Sequence, residues 1–145
     1  MNVEMSTDCS KTITKDRLQF PEHLLPPVDL LNFIYEEGFW DDWKDCGLSV
    51  ENDLWALETA ISADPESGRV IKGTGGLRKL RFGGLGKGKS GGVRVIFMWI
   101  PEIFVAYMFM VYKKSEMDDI SRDVADMLRA EAEGIRERLL TIYAR

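Results

Sequence analysis

Residues 73–92 read GTGGLRKLRFGGLGKGKSGG, and within them Gly83 to Ser90 match G-x-x-x-x-G-K-[ST], the pattern of a loop that cradles phosphates. That chemistry needs backbone N–H groups curled around the phosphates and a following helix aimed at them, so the loop must leave a strand and open a helix. Here it leaves a candidate strand, Leu77 to Phe82. After Ser90 it runs through Gly91-Gly92 into VRVIFMWI, a β-branched and aromatic run that Pro101 stops. A glycine pair is a poor way to begin a helix, each costing about 1 kcal/mol relative to alanine. The segment predicts a strand–loop–strand hairpin, which excludes the nucleotide-hydrolase reading and with it a nucleotide cofactor.

Charge gives the same residues a different chemistry. The formal net charge of the 145-residue chain is −5, unevenly spread. Residues 1–65 carry 4 basic and 14 acidic groups, residues 66–95 carry 8 and 1, and residues 96–145 carry 7 and 9. One hairpin region with seven net positive charges would repel itself, and an anionic partner would relieve it. Arg78, Lys79, Arg81, Lys87, Lys89 and Arg94 then bracket a polyanion, with glycines allowing close backbone approach. Arg94 opens an otherwise apolar strand face shared with Ile96, Met98 and Ile100, a costly place for an arginine unless it is paired or lines a site. If the two strands on either side of Pro101 pair, Arg94 comes opposite residues near 110, and Tyr112, Lys113 and Lys114 approach the basic loop.

Other chemistries find little material. His23 is the single histidine, in PEHLLPP, and Cys9 and Cys46 are the two cysteines. Neither a metal knuckle, a disulfide framework nor a His-based catalytic pair is expected. With no run of 18 apolar residues and no signal-peptide h-region, the expectation is a cytoplasmic protein without a membrane partner.

The elements that must position the basic residues follow from periodicity. Residues 1–28, polar and then proline-rich, read as a flexible N-terminal extension, and residues 29–145 as one domain. LLNFIY (30–35) is a candidate first strand. FWDDWKDC puts Phe39, Trp43 and Cys46 on one helical face. Ser49 is a candidate N-cap for a helix striped by Val50, Leu54, Leu57 and Ile61, ended by Asp64-Pro65 and Gly68. Strands are expected at 77–82, 93–100 and 103–112, and a last helix from about Asp118 to Tyr143, striped by Ile120, Val124, Met127/Leu128, Ile135, Leu139 and Ile142. The order β-α-α-β-β-β-α predicts an α+β domain, a mainly antiparallel sheet with helices packed on one face.

The combination GTGGLRKLRF-GGLGKGKSGG-VRVIF, followed by VYKKSEMDD and preceded by FWDDWKDCGLSVENDLWALETAISADPESGRVIKG, resembles the RelE/HigB family of bacterial type II toxin–antitoxin toxins. The resemblance runs over roughly residues 31 to 140 and leaves out residues 1–28. It implies a RelE-like fold and a metal-independent endoribonuclease, an mRNA interferase with no cofactor. Such a toxin cleaves mRNA, in many members on the ribosome, by attack of a ribose 2′-OH on the adjacent phosphate. It thereby inhibits translation and is neutralised by a cognate antitoxin, often of helix-turn-helix type. By position Arg94 matches the family's phosphate-binding arginine, Lys87 and Lys89 its loop lysines, and Lys114 a second basic residue after the last strand. Arg78, Lys79, Arg81, Lys113 and Tyr112 fall where contacts to RNA or the ribosome are implied.

Phe97 and Met98 stand where the family often has tyrosines, and neither Tyr112 nor Tyr143 matches a family position securely, so the general acid and base stay unassigned. The alternative is a relative that binds RNA, the ribosome or an antitoxin without cutting.

Overall fold

Two strands carry nearly unbroken apolar runs, VRVIFMWI and VAYMFMVY, and such runs suit strands covered on both faces. The computed structural model, which describes residues 31–83, 92–116 and 120–143, places them side by side at the centre of a five-stranded sheet. In chain order the elements are β1 (Asn32–Tyr35), α1 (Phe39–Asp45), α2 (Asp53–Ala63), β2 (Arg69–Val70), β3 (Arg78–Phe82), β4 (Val93–Ile100), a 3-10 turn (Pro101–Ile103), β5 (Val105–Lys113) and α3 (Arg122–Tyr143). The sheet order is β1-β5-β4-β3-β2. β1 runs parallel to β5 and every other pair is antiparallel. The class is the α+β one expected, and the glycine-rich segment does join two neighbouring antiparallel strands.

One expectation is corrected: the helices do not share a face of the sheet. Val93, Val95, Phe97, Met108 and Val111 pack with Phe39, Trp43, Leu54, Leu57 and Ile61 of α1 and α2. Ile96, Met98, Ile100, Val105 and Phe109 pack with Leu128, Ala132 and Ile135 of α3 on the other side. Period-2 alternation sends neighbouring apolar residues to opposite faces, so each face needs its own helical cover.

The second and third helices begin later than their apolar spacing suggests. Ser49 caps a turn ahead of α2: its Oγ accepts from the N–H groups of Asn52 and Asp53 (both 3.1 Å), and Asp53 Oδ2 accepts from Ser49 N–H (2.8 Å). That reciprocal pair satisfies backbone donors at the helix entry, and it leaves Val50 outside the helix and exposed. α3 is entered through Ser121, whose Oγ accepts from Val124 N–H (3.2 Å). Its buried line is Ala125, Leu128, Ala132 and Ile135, while Met127 and Ile142 of the expected stripe face solvent. The small alanines let the helix lie close to the sheet, which large-residue counting overlooks. β2 was not expected; at two residues it has no periodicity to read. The extension 1–28 and the expected start of the last helix at Asp118 lie outside the described residues.

The α3 side is fastened by two polar contacts. Arg136 Nη2 meets Glu102 Oε2 at 3.1 Å near the Pro101 turn. Tyr107 Oη donates to Glu36 Oε1 at 2.5 Å, and burial, with that bond second, pushes the phenol well above its ordinary range. A phenol held protonated by folding contributes stability that is complete below the unfolded value of about 10 and is lost as pH rises above it. Tyr107→Phe is therefore expected to cost about 1–2 kcal/mol at pH 7. The gap between variant and wild type should narrow above pH about 10, read by urea unfolding at pH 7, 9 and 11. A gap that stays constant with pH would count against the bond.

Candidate functional site

Pairing decides which basic side chains meet. In the β3–β4 ladder Arg81 lies opposite Arg94, and Lys79 opposite Ile96. In the β4–β5 ladder Arg94 lies opposite Tyr112, close to the expected neighbourhood of residue 110, with a register shift between Ile96 and Phe97 moving the pairing by one. In the β2–β3 ladder Arg69 lies opposite Lys79. Directly paired residues project from the same face, as do residues two apart on one strand. Arg69, Lys79, Arg81 and Arg94 therefore share the α3 face, at the end of β4 remote from Pro101. Ile96 and Met98 continue that face beneath α3, and Tyr112 is buried beside them.

A groove of about 620 Å³ opens there, lined by Gly68, Arg69, Lys79, Leu80, Arg81 and Arg94. Arg94 is half-buried, and its Nη1 donates to the carbonyl of Val93 at 3.4 Å. Among the described residues no carboxylate forms an ion pair with Arg69, Arg81 or Arg94. Like charges held this close give a focused positive field. Arginine's planar fork matches the oxygens of a phosphate, which makes the facing Arg81 and Arg94 suited to one.

The turn before the groove is built to keep its edge in place. Arg78, the residue before Lys79, projects to the opposite side, across from Phe97. Its Nη1 donates to the carbonyl oxygens of Glu66 (2.6 Å) and Gly68 (3.5 Å). Gly68 has φ +83°, and a Cβ there would sit 2.7 Å from the carbonyl oxygen of Lys79. Only glycine lets β2 approach β3 this closely. Beyond β2, Thr74 Oγ1 donates to Ile71 O (2.7 Å) and accepts from Leu77 N–H (3.1 Å), closing the β2–β3 connection under α3. At the other end of β3, Phe82 stacks on Trp43 at 6.2 Å, which anchors the strand where the glycine-rich segment begins.

The structure thus sorts the residues singled out from the sequence. Lys79, Arg81 and Arg94 meet in the groove, with Tyr112 adjoining. Lys113 lies opposite Val93 and so on the α1–α2 face. It is near Cys46, whose thiol burial pushes up, with Glu116 raising it further and Lys113 opposing. That side is acidic: burial, then Asp45 and Asp41, raise the Asp42 carboxyl above its usual range. Lys114 follows the end of β5 in an exposed turn. Lys87 and Lys89 lie outside the described residues. Phe97 and Met98 are core side chains on opposite faces, so the two positions where the family often has tyrosine serve packing here. Arg69, Gly68 and Leu80 are the groove residues that sequence reasoning missed; the signal available was the inclusion of Arg69 in the basic 66–95 window.

Fold and site together define an α+β protein with a cationic groove on the face of its sheet, beside the last helix. No family model matches the chain. Among solved structures the chain is similar to an arginine double mutant of the E. coli toxin RelE in the free state, with 16% sequence identity and a TM-score of 0.45, over 61% of this chain and 87% of that one. Among the described residues no helix is long and apolar enough to cross a membrane.

Proposed function

We propose that the protein is the toxin of a type II toxin–antitoxin system, a metal-independent endoribonuclease that cleaves mRNA, on the ribosome, and so inhibits translation in the cytoplasm. The observation that carries this reading is the Arg81–Arg94 pair facing one open groove. In the reaction a ribose 2′-oxygen forms a bond to the adjacent phosphorus and the 5′-oxygen leaves, giving a 2′,3′-cyclic phosphate and a 5′-hydroxyl end. Negative charge grows on the non-bridging oxygens as the fifth bond forms, and two guanidinium forks held ready on rigid strands stabilise it more than they stabilise the ground state. The 2′-OH is the nucleophile, so DNA is not cleaved.

In this mechanism Arg94 and Arg81 hold the scissile phosphate and Lys79 extends the field along the strand. Lys87, Lys89 and Lys114 supply the remaining positive charge, while one proton leaves the 2′-OH and one reaches the departing 5′-oxygen. A cognate antitoxin neutralises the toxin by laying an acidic segment over the groove, since opposite fields both steer and hold such a partner.

Product chemistry tests the reaction directly. Message on programmed ribosomes incubated with the protein is expected to yield new 5′-hydroxyl ends, which a polynucleotide kinase labels without prior phosphatase treatment. Ends carrying a 5′-phosphate would rule out attack by the 2′-OH.

A further inference from the structure

The groove is longer than one phosphate requires. Its cations form two rungs across the sheet, Arg81 facing Arg94 and Arg69 facing Lys79. Along β3 the rungs are separated by two residues, about 6.6–6.8 Å at the usual strand rise. That is close to the step between successive phosphates of an extended single strand. Four cations on one face of a rigid sheet suit a backbone-tracking groove better than a single anion site.

The second rung has its own support. Arg69 sits on an edge strand two residues long, which by itself would fray. The Arg78 clamp on the carbonyls of Glu66 and Gly68 pins that edge from the opposite face, and the missing side chain at Gly68 allows the approach. Because β2 stops after Val70, the strand adds little wall beyond the second rung.

From these features we infer that Arg69 and Lys79 form a second phosphate subsite, adjacent to the Arg81–Arg94 pair, so that the groove takes two consecutive phosphates of one strand in extended form. The inference rests on the RNA reading given above. Arg78 is a positioning residue for it, acting through the 66–68 turn without touching the nucleic acid.

The test is the salt dependence of binding of the full chain to an 8-nucleotide 2′-O-methyl RNA, which lacks the nucleophile and is not consumed. Each phosphate neutralised on a single strand contributes about 0.7 to the slope of log K against log salt. Arg69→Ala is expected to weaken binding several-fold at 50 mM salt and to flatten that slope by about 0.7, while Arg69→Lys keeps the slope. Arg69 is exposed, so the alanine variant should fold, and its circular dichroism and Tm are checked. Arg136→Ala, a lost cation beside Glu102 near the far end of β4, is the control and should leave the slope as it is. Wild-type binding with an unchanged slope in Arg69→Ala would remove the second subsite and leave the RNA reading standing. No binding of this RNA by the wild type would remove both.

Discussion

Arg94→Ala should lower the rate of RNA cleavage by about 10²–10³-fold, the usual loss when one positioned donor to developing negative charge is removed. Its stability should hardly change. The Arg94 guanidinium makes one long hydrogen bond, 3.4 Å to the adjacent Val93 carbonyl, and pairs with no carboxylate among the described residues. Truncation therefore leaves no buried charge stranded, which is the condition that makes loss of an ion-pair partner expensive. Arg94→Lys keeps the charge but loses the fork opposite Arg81, and should fall between alanine and wild type. Single-turnover cleavage and thermal melting, run on the same preparations, separate the two effects. A variant that melts like wild type and cleaves like wild type would exclude Arg94 from the chemistry.

Phe97→Ala is expected to act in the opposite manner, through stability alone. Phe97 is fully buried on the α1–α2 face of the central strand, next to Val95 in the core cluster. Truncating a buried phenylalanine costs about 3–5 kcal/mol, because the surroundings collapse only partly into the space left. A domain of this size is stable by about 5–15 kcal/mol, so the loss is a large fraction of the whole. The Tm should fall by on the order of 10 °C or more. The urea midpoint should fall with the m-value retained if the unfolded state is unaffected. Activity measured well below the lowered Tm should survive, since the side chain lies on the face of the sheet away from the groove. A stable variant without activity would mean that the two faces are coupled in a way the fold does not suggest.

The contrast between Arg94 and Phe97 shows which parts of this molecule could be read from its sequence. The hairpin in place of a phosphate loop was legible, because Gly91-Gly92 followed by VRVIFMWI cannot open a helix. That Arg94 comes opposite the residues near 110 was legible as well, because Pro101 sets the hairpin, but its partner Tyr112 was not, because a register shift between Ile96 and Phe97 moves the pairing by one residue. The separation of Arg78 from Lys79 and Arg81 was half legible. Alternation puts them on opposite faces, but RKLRF is mixed on both, so nothing local says which face is the groove. That assignment comes from Phe97 and Ile96 on the neighbouring strand. Cover on both faces was implied by the unbroken apolar runs of β4 and β5, yet it is a property of two strands together and is easily missed one strand at a time.

Arg69 was beyond local reading for a different reason. A two-residue strand has no period, and its place beside Lys79 depends on the glycine at 68 and on Arg78, which reaches back ten and twelve residues to the carbonyls of Gly68 and Glu66. Tertiary pairing, not propensity, makes it part of the site.

The central claim is that the Arg81–Arg94 groove cleaves mRNA by way of the 2′-OH, and the most direct test is primer-extension mapping of a defined mRNA on programmed ribosomes. Wild type and Arg94→Ala are compared, with naked RNA in EDTA alongside. The account predicts new 5′ ends with the wild type, on ribosome-bound message, and their loss with Arg94→Ala. Equal cleavage by both proteins, or none by the wild type on either substrate, would contradict it.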